Sequence, residues 1–132
     1  IKIYNSEKII YKGRYPQADL NKLYSQGSVF CIPSLQDGFA MVISQAMACG
    51  LPVICSENSG GSDLISDGQE GFIIPIRSVA AIKEKILYLY ENPEVCVQMG
   101  SKAKQRVSIG FTWDDYGERY YEFLKNIQNK SL

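Results

Sequence analysis

Asp37 and Gln45 stand eight positions apart in a stretch that passes from a polar turn into an apolar run. The run reads Pro33-Ser34-Leu35-Gln36-Asp37-Gly38-Phe39-Ala40 and continues to Cys49-Gly50. A carboxylate accepts hydrogen bonds, and a carboxamide both accepts and donates them. A strand that stops at Pro33 and a helix that begins near Phe39 would aim free backbone N–H groups at the carboxyl edge of a sheet. The positive end of the helix dipole points the same way, which suits a phosphate or diphosphate. The same pattern also describes an ordinary strand-to-helix loop with Asp37 as its N-cap, and spacing alone leaves both readings open. From Phe39 to Cys49 only Ser44 and Gln45 are polar, so this helix is expected to be buried nearly all round. A Gln in that position needs a partner, because an unpaired buried amide costs about 1–3 kcal/mol. A neighbouring backbone group or a ligand hydroxyl would serve. Two helical turns separate Gln45 from Asp37 on this reading, which places the amide at the depth of a sugar or ribose.

Composition narrows the chemistry. No histidine occurs among the 132 residues, which removes Ser-His, Cys-His and histidine acid–base mechanisms. Catalysis would have to come from carboxylates, amides, backbone dipoles or the substrate itself. The cysteines, Cys31, Cys49, Cys55 and Cys96, form no C-x-x-C pair and no histidine accompanies them, so no structural zinc is expected. Three of them lie in or beside apolar runs, as small core residues of a reducing, cytoplasmic protein would. Fourteen basic and fourteen acidic residues cancel, which argues against a nucleic-acid partner. No stretch of about 18 apolar residues marks a membrane span, and no leader pattern opens the chain.

The elements that must hold these residues alternate. Strand-like runs cover Lys8–Lys12, Ser28–Pro33, Pro52–Ser56 and Gly71–Pro75, short and rich in Ile and Val, as buried parallel strands are. Helical patterns cover Ala18–Gln26, Phe39–Cys49, a short piece near Asp63, Val79–Tyr90, Glu94–Val107 and Asp114–Gln128. Asn92-Pro93 and Gly110 separate the last three. Strand–helix alternation predicts an α/β, Rossmann-like parallel sheet flanked by helices in a single domain over residues 1–132. Four strands are few for a doubly wound sheet, so the chain is expected to be the second half of such a domain, cut from a longer protein.

At this point the residues resemble a family. Pro33-Ser34, Asp37-Gly38-Phe39, Gln45-Ala46-Met47-Ala48-Cys49-Gly50 and Pro52-Val53-Ile54 look like the signature of the retaining GT-B glycosyltransferases of family 4. The likeness continues through Ser59-Gly60-Gly61-Ser62-Asp63-Leu64-Ile65, Asp67-Gly68-x-x-Gly71-Phe72, Asn92-Pro93 and Phe111-Thr112-Trp113. It covers nearly the whole chain from about Gly13, in correct order. The resemblance implies the C-terminal, donor-binding part of a transferase that uses a nucleotide-diphosphate sugar, without a metal or other cofactor. The acceptor would be held by an N-terminal domain outside this chain.

The family carries two glutamates eight positions apart, one on the transferred sugar and one on the ribose hydroxyls. Here the matching residues are Asp37 and Gln45, so both depart from the commonest form. Asp37 keeps the charge with one methylene less reach, and would be the catalytic residue; Gln45 keeps an acceptor and adds a donor. Gly38 and Phe39 match the backbone amides that meet the diphosphate. Arg14 and Tyr15 match the end of the first strand, where the nucleobase is held; a solvated strand end describes them equally well. Asp63 matches a family acid, or caps its short helix. Nothing here matches the family's diphosphate-clamping Arg and Lys. The chain alone is then not expected to turn over substrate, and the altered Asp37/Gln45 pair leaves a non-catalytic glycosyltransferase-like binding or interaction module as the alternative. The Lys83/Lys85 and Lys102/Lys104/Arg106 groups read as solvated helix faces. Tyr116, Tyr120, Tyr121 and Phe123 on the last helix are expected to be partly exposed. The donor base, the acceptor and any membrane contact are not legible.

Overall fold

A computed structural model describes residues 9–130. Three parallel strands form its sheet, β1 (Phe30–Ile32), β2 (Val53–Ser56) and β3 (Gly71–Ile74), in the order β1-β2-β3. Phe30 pairs with Val53, and Val53 with Gly71. The α-helices are α1 (Leu20–Tyr24), α2 (Met41–Ala48), α3 (Val79–Glu91), α4 (Pro93–Val107) and α5 (Trp113–Lys130). Short 3-10 turns cover Gln17–Asp19 and Gly61–Asp63.

The central strand β2 is buried along its whole length, and its side chains divide the core by the period of two. Val53 and Cys55 join Ile43, Ala46 and Met47 of α2 on one face. Ile54 joins Phe72 and Ile74 of β3, Leu89 of α3 and Met99 of α4 on the other. Two glycines permit the tightest approaches. A Cβ at Gly71 would lie 2.0 Å from the Val53 carbonyl oxygen, and one at Gly100 would lie 2.2 Å from that of Gly50. The first allows β3 to pair with β2; the second lets α4 pack onto the end of α2. That end is a Schellman turn: the Gly50 amide (φ 79°) donates to Met47 and the Leu51 amide to Ala46.

Four expectations change. Residues 9–12 form no strand, and Lys8 lies outside the described residues. A parallel strand needs a neighbour on at least one side, whereas Ile9, Ile10 and Tyr11 stand exposed, away from the three-stranded ladder. The helix expected over Phe39–Cys49 runs only from Met41 to Ala48, because Ala40 (ψ 90°) is still non-helical. It is not buried all round: Ile43, Ala46 and Met47 face the core, while Met41 and Ala48 are exposed. Of the cysteines, Cys55 is buried, Cys49 and Cys96 are half-buried and Cys31, on edge strand β1, is exposed. The short helix near Asp63 is a 3-10 turn.

Helix α5 has the exposure its sequence suggests. Its N-terminus is closed by a capping box, with the Asp115 carboxylate accepting from the Thr112 amide (2.8 Å) and Thr112 Oγ1 accepting from the Asp115 amide (3.1 Å). Beyond it Tyr116, Tyr120, Tyr121 and Phe123 are each more than half exposed. No helix among the described residues is long and apolar enough to cross a membrane.

Candidate functional site

Three loops leave the carboxyl ends of the strands, and hydrogen bonds tie them together. The loop after β1 is held by the loop after β2. Ser56 Oγ donates to the Ser34 carbonyl, Asn58 Nδ2 to that of Leu35 (3.3 Å), and the Asp37 amide to that of Asn58 (2.8 Å). Ser59, fully buried, donates from Oγ to the Ser56 carbonyl at 2.7 Å and stiffens the second loop. The loop after β3 joins through Glu57, whose amide donates to Ile74 (3.0 Å) and whose Oε1 accepts from the Ile76 amide (3.3 Å). Gly60 (φ 68°) sits directly against the first loop: a Cβ there would lie 2.8 Å from the Gly38 oxygen and 3.2 Å from Phe39 Cα.

This frame decides what Asp37 does. Its amide is engaged by Asn58, its carboxylate is exposed, and it stands ahead of α2 rather than on it. The N-cap reading therefore fails: the cap position is Ala40, and no side chain caps α2. By contrast, Ser78 Oγ caps α3, accepting from the Ala81 amide at 3.2 Å, and Thr112 caps α5. Open space surrounds the Cα of Gly38, where an added Cβ would meet nothing within 4 Å. The amides of Gly38 and Phe39 have no partner among the described residues, and with the open first turn of α2 they form one donor-rich edge.

Gln45 meets its expected problem. Its Oε1 is buried without a hydrogen-bond partner among the described residues. The residue also lines a cleft of about 280 Å³ between α1 and α2, together with Gln17, Leu20, Asn21, Tyr24, Ala48 and Cys49. Burial, with the half-buried Cys49 nearby, holds the Tyr24 hydroxyl above its ordinary pKa, so this wall is uncharged at neutral pH. A second, aromatic cleft of about 460 Å³ opens on the outer side of α2, between Phe39, Met41 and Ser44 and the α5 residues Trp113, Tyr116 and Arg119. Another cavity, of about 610 Å³, is at the opposite end of the sheet, around Gly27, Ser28, Gly50, Leu51 and Pro52. Its lining is mainly apolar and contains no charged group, so the carboxyl edge, with its open amides and the exposed Asp37, is the better candidate.

Arg14 and Tyr15 precede the turn that opens α1; both are exposed, and no strand ends there. Asp63 is exposed in its 3-10 turn, whose cap position is Gly60 with no side-chain cap, so the capping alternative fails for it too. Among the basic residues, Lys85 pairs with Glu84 at 2.8 Å and Lys102 donates to Gln69 at 2.7 Å, both at the surface. No group of three or more Cys, Asp or Glu able to hold a metal occurs among the described residues. The supporting roles of Ser56, Asn58 and Gly60 were not visible in the sequence. A Gly-Gly pair after a strand, as at Gly60-Gly61, is a signal that could have located the turn, though not the loop it contacts.

Comparison with known proteins places this geometry. Residues 2–106 match the family model for glycosyl transferases group 1. Trehalose synthase from Pyrococcus horikoshii is 35% identical over 109 residues, covering 83% of this chain and 26% of that protein. The capsular polysaccharide biosynthesis glycosyltransferase CapM of Staphylococcus aureus is 30% identical over 117 residues, covering 86% of the chain and 31% of CapM. The chain thus spans about a quarter to a third of these relatives. Among solved structures, Anabaena HepE with UDP-glucose superposes at TM-score 0.76 and 23% identity, over 83% of this chain and 30% of HepE. This is the fold of GT-B glycosyltransferase C-terminal domains, with an α/β sheet of three parallel strands.

Proposed function

Because the chain belongs to the glycosyl transferases group 1 family, we propose that it is the donor-binding part of a retaining, family 4 transferase that takes a hexosyl group from a nucleotide-diphosphate sugar. The orphaned Gln45 Oε1 carries the reading. A buried amide oxygen without a partner among the described residues is stabilised when its carboxamide turns to ribose hydroxyls in the adjoining cleft. The open amides of Gly38, Phe39 and the first turn of α2 then meet the diphosphate, where backbone donors and the helix dipole favour negative charge. Arg14 and Tyr15, just before α1, lie against the base.

Transfer with retention develops positive charge on the sugar and negative charge on the leaving phosphate. The amides stabilise the second, and the exposed Asp37 carboxylate faces the first. Asp37 thus serves the sugar and not the phosphates, which it would repel. The acceptor, and a cationic clamp for the diphosphate, come from a part of the protein outside this chain; donor binding by the chain alone is then weaker than in the whole protein. The protein works in the cytoplasm, with no metal or other cofactor. That HepE was solved with UDP-glucose supports trying uridine donors first.

Calorimetric titration with UDP, GDP and ADP and the matching sugar nucleotides tests the reading. One nucleotide should bind, and its sugar conjugate should change affinity in a way that Asp37→Ala abolishes. Equal, Asp37-independent affinity for all of them would leave only a binding module; no binding at all, with the remaining part of the transferase supplied, would overturn the proposal.

A further inference from the structure

The loop after β2 makes more contacts to the loop after β1 than strand connection requires. Asn58 uses both its backbone oxygen, on the Asp37 amide at 2.8 Å, and its side-chain Nδ2, on the Leu35 oxygen at 3.3 Å. Those two bonds bracket the segment Leu35–Asp37. Gly60 closes the far end: its left-handed backbone (φ 68°) and missing Cβ bring it against the Gly38 oxygen and Phe39 Cα. Between these points lie Asp37, Gly38 and Phe39, the residues that would meet sugar and diphosphate. Their own loop contains no internal hydrogen bond among those described, so the fixed orientation of their N–H groups comes from outside the loop. The neighbouring loop is itself fixed, by Ser59 Oγ on the Ser56 carbonyl and by Glu57 on Ile74 and Ile76.

We infer that Asn58 and Gly60 are positioning residues for the donor diphosphate: they touch no substrate, but hold the Gly38 and Phe39 amides in line with the open end of α2. The inference rests on the donor-site reading above. Preorganised donors owe their strength to needing no reorientation when charge arrives, so a loop released from its support keeps the same groups and loses part of their effect.

The selective consequence separates positioning from mere stability. Uridine should depend on Gln45, Arg14 and Tyr15 and not on the amides, whereas UDP depends on both sets. Asn58→Asp keeps size and the backbone acceptor but replaces the donor to Leu35 with an oxygen. It should weaken UDP about three- to tenfold, the scale of one lost hydrogen bond, with uridine affinity unchanged. Gly60→Ala pushes a methyl against the Gly38 oxygen and should weaken UDP more, again sparing uridine. Thermal unfolding of each variant is recorded beside the titration. If Gly60→Ala does not fold, Asn58→Asp carries the test alone. Equal loss of uridine and UDP, in step with a lowered Tm, would mean a structural role only and overturn the inference. Wild-type affinity for both UDP and uridine, unaltered in Asn58→Asp, would overturn it while leaving the donor-site reading standing. A wild-type chain that binds neither, even with the rest of the transferase supplied, would remove both.

Discussion

Replacing Gln45 by Met should make the free protein more stable and a worse nucleotide binder, and the opposite signs make this the sharpest mutational consequence of the structure. The side chains are similar in length and unbranched, so packing on α2 and helix propensity change little. What disappears is a buried acceptor with no partner among the described residues. Such an orphan costs about 1–3 kcal/mol, and the lower end applies because Gln45 as a residue is only half-buried. With about 2.1 cal/mol/K of unfolding entropy per residue, 132 residues give roughly 0.28 kcal/mol/K, so about 1 kcal/mol raises Tm by about 4 °C. Urea unfolding at constant m-value gives the free energy, and titration with UDP gives the binding loss, expected at three- to tenfold. A lower Tm in Gln45→Met would show that the amide has a partner and that the orphan argument is wrong. A higher Tm with unchanged UDP affinity would detach Gln45 from the nucleotide.

The remaining predictions concern the frame. Gly100→Ala forces a methyl to 2.2 Å from the Gly50 oxygen where α4 meets the end of α2, and should cost about 3 kcal/mol in urea unfolding; a loss below about 1 kcal/mol would mean that the contact yields easily. Hydrogen bonds from the Thr112 hydroxyl and amide hold the Asp115 carboxyl below its ordinary pKa of 3.8. A depressed carboxylate stabilises α5 above the unfolded pKa, and that contribution is lost as pH falls through the lower folded value. The Thr112 amide resonance should therefore titrate with a midpoint below 3.8, returning toward the ordinary value for Asp115 in Thr112→Val. A wild-type midpoint at or above 3.8 would contradict the capping box.

The parts of this fold that were legible in sequence rest on strong local signals. Val53–Ser56 reads as a buried strand because its apolar run has no polar face to hide, and β2 is indeed covered on both sides. Asn92-Pro93 marks the break between α3 and α4 because proline fits the first turn of a helix and not its interior. Gln45 was legible as a problem, a lone amide in an apolar helix, and the structure returns it as one. Illegible features depend on distant partners. The strand expected near Lys8–Lys12 had the right composition, but its described residues, 9–12, have no neighbour in the ladder. The apolar pattern of α2 gave no sign that Phe39 and Met41 would face an open cleft beside α5. Asp37 looked like an N-cap because caps are local, whereas the bond that orients it comes from Asn58, across a strand and a helix.

On the proposed reading, the edge formed by Gly38, Phe39 and the start of α2, with Gln45 beyond it, receives the nucleotide of the donor. Backbone amide shifts during titration of isotope-labelled protein with UDP, GDP and ADP test it most directly. Shifts are expected at Gly38, Phe39 and Gln45, continuing to Arg14 and Tyr15, for one nucleotide above the others. Shifts gathered instead around Gly27, Ser28, Gly50 and Leu51, at the opposite end of the sheet, would contradict it.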